Sequence, residues 1–105
     1  MTERLSLQAY VTEDGACPGR MFLEQLPEEL QAEAEALTQL YLEEGEAISG
    51  GRLIEHGKDL IELRGEHVRI FFKTSTNRSL IFIDGFLTSQ GEAPLIDIHR
   101  KAEMI

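Results

Sequence analysis

The sequence predicts an α+β domain, with helices packed on a mainly antiparallel sheet. Three observations carry that prediction. Residues 60–86 contain three β-favouring runs separated by two short polar breaks. Residues 27–44 contain one well-marked amphipathic helix. Residues 5–11 alternate between apolar and polar positions ahead of that helix.

In chain order, Leu5, Leu7, Ala9 and Val11 alternate with Ser6, Gln8 and Tyr10, and the first set reads as facing inward. Glu-Asp-Gly and Cys-Pro-Gly make 12–18 a loop. A helical turn over 20–25 would place Met21, Phe22 and Leu26 on the core. Pro27 suits a first helical position, and Glu28 and Glu29 suit the positive end of the helix dipole. Leu26, Leu30, Ala34, Leu37 and Tyr41 then form an apolar stripe at 3–4 spacing. The helix should stop at Glu44-Gly45. Residues 47–58 are a glycine-punctuated connector with a brief extended piece over 52–55.

The meander follows, with strands over 60–64, 68–73 and 80–86. Gly65-Glu66 makes its first turn and 74–78 its second. Alternation puts Ile61, Leu63, Val68, Ile70, Phe72, Ile81 and Ile83 on a core face. Each such side chain contributes about 1.5–3 kcal/mol when fully buried, so this face should set the register. The other face then displays Glu62, Arg64, Arg69, Phe71, Lys73, Phe82, Asp84 and Phe86. Pro94 opens a short terminal helix carrying Leu95, Ile98 and Ala102. The first strand should join an edge of the meander after the helical crossover, with the helices on one face of the sheet.

A chain of 105 residues is expected to form a single domain over its whole length. Cys17 is its only cysteine, which excludes an intramolecular disulfide and fits a reducing cytoplasm. There is no signal-peptide pattern at the N-terminus and no apolar run of membrane-spanning length, so no membrane partner is expected. The net charge of −9 is unevenly placed. Residues 1–50 hold eleven acids and two bases, and residues 51–105 hold eight of each. Overall acidity argues against sequence-independent nucleic-acid binding, while the neutral half has room for a local basic patch. Cations interleaved with aromatic rings on the outer strand face suit a nucleic-acid backbone and unstacked bases. The same alternation also describes an ordinary solvated strand face. His56, Glu62 and His67 show no recognised metal-ligand spacing.

Leu60-Ile61-Glu62-Leu63-Arg64, a short turn and Arg69-Ile70-Phe71-Phe72 resemble the "ELR…RIFY" hairpin of HigB-type toxins in the RelE/ParE superfamily, which include phage-derived members. Gly85-Phe86, Pro94, Asp97-Ile98 and Ala102 resemble that family's tail, and LEQLP before the long helix resembles its helical hairpin. The resemblance spans nearly the whole chain. It implies a RelE-like fold: an N-terminal strand and two-helix hairpin packed on an antiparallel sheet completed by the meander, with a short C-terminal helix. It also implies a toxin of a toxin–antitoxin module that cleaves mRNA on the ribosome without metal or cofactor, silenced by a cognate antitoxin. A homodimer is compatible with it. In that scheme Arg64, Arg69, Lys73 and His99 take the catalytic positions, and Lys58, Phe71 and Phe86 contact RNA. Leu87-Thr88-Ser89-Gln90 stands where the family usually carries lysines, and Val68 stands where it has an aromatic residue. A second reading is a catalytically inactive protein-binding module on the same scaffold, its acidic surface engaging a protein partner.

Overall fold

The computed structural model describes residues 6–45, 48, 51–57, 59–74, 79–91 and 95–103. Among them are three α-helices and one mixed, open five-stranded sheet. In chain order the elements are β1 (Ser6–Ala9), α1 (Pro18–Glu24), α2 (Glu28–Glu44), β2 (Leu53–Glu55), β3 (Leu60–Arg64), β4 (Val68–Thr74), β5 (Ser79–Leu87) and α3 (Leu95–Glu103), with a 3₁₀ turn at Thr88–Gln90. The sheet order is β1-β5-β4-β3-β2.

The meander is present as expected: β3 and β4 pair antiparallel, as do β4 and β5. The first strand does reach the meander's edge, but it runs parallel to β5, with Leu7 opposite Leu80 and Ala9 opposite Phe82. The sheet is therefore mixed rather than antiparallel. The extended piece of the connector becomes the opposite edge strand, β2, paired with β3.

α1 and α2 cover one face. Leu26, Ala34, Leu37 and Tyr41 pack there on Ile61, Leu63, Val68, Ile70, Phe72, Leu80 and Phe82. The stripe read from α2 is thus the buried one. Phe22 packs partly buried against this core. Its ring lies so close to Gly85 that a Cβ at that position would stand 2.3 Å from it. Gly85 thereby lets α1 sit on β5. Met21, expected on the core, is 51% exposed.

Three expectations about faces are corrected. On β5, Leu80 and Phe82 face the helices, whereas Ile83 packs on the other side with Leu60 and Phe71. The cause is a β-bulge: Phe71 pairs with Asp84 while Phe72 pairs with Phe82, so Ile83 is the extra residue and the alternation changes phase there. At the N-terminal edge, Tyr10 is buried while Ala9 and Val11 are exposed. The strand stops at Ala9, and the Tyr10 N–H donates to the Phe82 carbonyl at 2.9 Å, leaving the ring rather than the smaller side chains to close the core. Finally, the helices do not share a face. α3 lies on the opposite side, where Ile98 and Ala102 pack on Leu60, Phe71 and Ile83. Two lysines fasten it there: Lys73 Nζ donates to the Ala102 carbonyl at 2.7 Å, and Lys101 Nζ pairs with Asp84 at 2.9 Å. A cation on the last carbonyls of a helix also suits its dipole.

Candidate functional site

Part of the outer sheet face is apolar and lies under α3, and the rest is organised by one acid. Glu62, at the centre of β3, is fully buried. Strand alternation puts Arg64 on its face, and the β3–β4 register puts Arg69 directly opposite Arg64. Both guanidiniums turn onto the carboxylate. Arg69 donates to Oε2 from Nε at 2.6 Å and to Oε1 from its terminal nitrogen at 3.1 Å. Arg64 Nε donates to Oε2 at 3.0 Å. His56, which follows β2, completes the set with Nε2 at 2.7 Å from Oε1. Burial alone raises a carboxyl pKa, but the bonds from Arg69, His56 and Arg64 outweigh it and hold Glu62 down at about 2. The acid is therefore ionised at neutral pH.

Two guanidiniums against one carboxylate leave this spot with net positive charge in an acidic protein. Arg69 is the inner member, its side chain 13% exposed and its guanidinium 5.9 Å from the Phe71 ring centroid. Arg64 is the outer member, 45% exposed. Its Nε alone is engaged by Glu62, which leaves the outer edge of its guanidinium facing water.

Beyond His56 the face opens into a depression of about 250 Å³ bordered by His56, Asp59, Lys73, His99 and Glu103. His56 links the two neighbourhoods, since it touches Glu62 on one side and borders the depression on the other. Its bond to a carboxylate requires a proton on Nε2, so in the neutral ring Nδ1 is the basic nitrogen.

The expected site residues thus fall into groups. Arg64 and Arg69 share one face, as expected. Lys73 and His99 meet at the depression, although Lys73 also caps α3. Phe71 is not available for stacking on a base. Its ring is fully buried, 5.6 Å from His56 and 6.1 Å from Phe86, because α3 covers it. Phe86 is half-buried. Lys58 lies outside the described residues.

Sequence reasoning missed the organising role of Glu62 and the inclusion of His56. Glu62 had a signal: it shares a strand face with Arg64 and lies diagonal to Arg69. His56 had none, because it sits in a connector without periodicity.

The three residues weighed as metal ligands do not assemble. His67 turns to α2 instead, where Glu33 accepts from its Nδ1 at 2.9 Å and from the backbone N–H groups of His67 and Val68 at 2.8 Å each. Glu33, Glu66 and His67 do offer ligand atoms within 4.8 Å of one another. Both Glu33 oxygens already accept from nitrogen donors there, so that turn is satisfied without an ion. No described helix is long and apolar enough to cross a membrane.

No family model matches the chain, and no curated protein matches it.

Proposed function

We propose that this chain is a RelE/HigB-like toxin that cleaves mRNA on the ribosome and is held silent by a cognate antitoxin. The observation that carries the reading is the placement of Arg64 and Arg69 side by side on one sheet face, oriented by a buried carboxylate and adjoining a depression with two histidines and a lysine. Phosphodiester cleavage by a neighbouring ribose hydroxyl needs those parts. A base removes the 2′-hydroxyl proton, and the oxygen attacks phosphorus. The bond to the 5′-oxygen then breaks, leaving a cyclic phosphate and a 5′-hydroxyl. His99, or His56 on the same depression, suits the proton transfers. The free edge of Arg64 suits the charge gathering on the phosphate oxygens. Arg69, more enclosed, holds Glu62 and through it the orientation of Arg64 and His56.

The same network favours a second reading. Glu62 absorbs bonds from all three basic side chains, which is what a structural brace in a non-enzymatic binding module would do. One experiment separates the two. In a translation reaction the purified chain is expected to shorten a reporter mRNA, and Arg64→Ala, at a half-exposed position that tolerates truncation, is expected to abolish cutting. Equal mRNA decay with the wild type, the variant and buffer would discard the enzymatic reading and leave the binding module.

A further inference from the structure

The depression beside His56 carries two acids that proton transfer does not use. Asp59 and Glu103 are exposed on its border. Both stand on anchored backbone. The Asp59 carbonyl accepts from the Thr74 N–H at 2.8 Å, and the Ala102 carbonyl, next to Glu103, accepts from Lys73 Nζ at 2.7 Å. Among the described residues neither carboxylate has a hydrogen-bond or ion-pair partner. Two donors on the same border are engaged elsewhere: Lys73 on that carbonyl, and His56 Nε2 on Glu62 at 2.7 Å. This end of the site is therefore rich in acceptors.

The other end has the opposite character. There Arg64 turns its outer edge to water. His56 joins the two ends, because Glu62 holds Arg64 Nε on Oε2 at 3.0 Å and His56 on Oε1 at 2.7 Å. A polyamine would satisfy the acids but would be repelled by the arginines. A ligand that suits both ends has N–H donors at one end and an anion at the other. A nucleotide whose base carries an amino group is built that way. Cytosine, adenine and guanine each present an amino group on their pairing edge, whereas uracil presents two carbonyls around one N–H. A carboxylate accepts from the amino group and repels the carbonyls. The buried Leu60 and Ala102 give the depression an apolar floor, and the exposed His99 ring on its border suits a stacked base.

We propose that the depression reads the base of an RNA nucleotide, with Asp59 and Glu103 selecting an amino-bearing base against uracil while Arg64 holds the phosphate. This names the substrate class of the proposed site and rests on that reading for its place in cutting. Binding of the nucleotide does not itself require cleavage.

The first test titrates cytidine and uridine 3′-phosphates, alike in size and charge, into the isotope-labelled full chain. Cytidine 3′-phosphate should bind at least about tenfold tighter, with chemical-shift changes at Asp59, Lys73 and His99. Guanosine 3′-phosphate should likewise bind more tightly than inosine 3′-phosphate, which lacks the amino group. In Asp59→Asn/Glu103→Gln, whose amides both donate and accept, the preference should vanish. Arg64→Ala should weaken cytidine and uridine phosphates alike. In the translation reaction, cuts should fall beside amino-bearing bases, and the double variant should cut beside uracil as well. Failure of cytidine 3′-phosphate to bind better than its uridine counterpart, or a preference that survives the double variant, would overturn the proposal. Cut sites indifferent to the base would overturn it too. Discrimination between the nucleotides without any cutting would end the enzymatic reading alone and keep the base site. Both substitutions are at exposed positions, and circular dichroism separates loss of selection from loss of the fold.

Discussion

Glu62 and Glu33 are both acids set against a strand, and both collect several nitrogen donors, yet they hold the molecule together differently. Glu62 is fully buried within β3 and is neutralised by side chains: two arginines and a histidine. Glu33 sits at the seam between α2 and the β3–β4 turn and is satisfied largely by backbone: the N–H groups of His67 and Val68, with the His67 ring added. The turn is shaped for it, since a Cβ on Gly65 would stand 2.7 Å from Glu33 Oε2. Removing Glu62 would strand charges in a low-dielectric place, whereas removing Glu33 would expose donors that water can partly serve. The comparison teaches that the surroundings of a carboxylate, more than its number of bonds, set its structural weight.

The largest expected effect follows directly. Glu62→Ala leaves Arg69 and His56 clustered without their anion and should cost about 3–5 kcal/mol in urea unfolding. Replacing Glu62 and Arg69 together by Met and Leu should recover much of that loss, because the stranded charge goes with its partner. If Glu62→Ala costs no more than removal of Glu33, the distinction between the two acids fails.

These two acids also mark where the sequence could be read and where it could not. The meander, the α2 stripe and the shared face of Arg64 and Arg69 were legible because each follows from a local period: two in strands, and 3–4 along the helix. The face of Ile83 is not legible, because a bulge is a property of two paired strands and neither strand's own pattern announces it. The side that α3 takes is not legible, because an apolar stripe says that a helix packs, not on which face. Its face is set by the apolar trio Leu60, Phe71 and Ile83, which the bulge helps to create. The outer face of Glu62 is legible but its burial is not, because alternation gives direction without depth. Nothing in the pattern of α2 announces the role of Glu33, since its partners are 34 and 35 residues away.

The second effect is the acid dependence of the Glu62 brace. Its folded pKa, about 2, lies below its ordinary value of 4.5. The stabilisation is therefore fully present above about pH 4.5 and is lost as pH falls through about 2. At about 1.4 kcal/mol per unit, the loss should be about 3 kcal/mol. Stability measured from pH 6 down to pH 2 should fall for the wild type more steeply than for Glu62→Gln. Parallel curves would mean that Glu62 is not the group being protonated.

The smallest effect belongs to Glu33 and sharpens the contrast by its opposite exposure and its second titrating partner. In Glu33→Ala the buried Val68 loses the acceptor for its N–H, while the exposed His67 can turn to water. The cost should be about 1–2 kcal/mol. Burial opposes ionisation of Glu33, but the His67 side-chain bond and the two backbone bonds prevail and lower its pKa below 4.5. The bond to Glu33 raises the pKa of His67 above 6.5, against an opposing desolvation. The acid's share is then present above about pH 4.5 and lost as pH falls through its lowered value. The histidine's share is present below about pH 6.5 and lost as pH rises through its raised value. The stability difference between wild type and Glu33→Ala should therefore peak between those two pH values and decline on both sides, more weakly on the alkaline side, where the two backbone bonds persist. A difference that stays level from pH 5 to pH 9 would remove His67 from the clamp and leave Glu33 holding the turn by its backbone bonds alone.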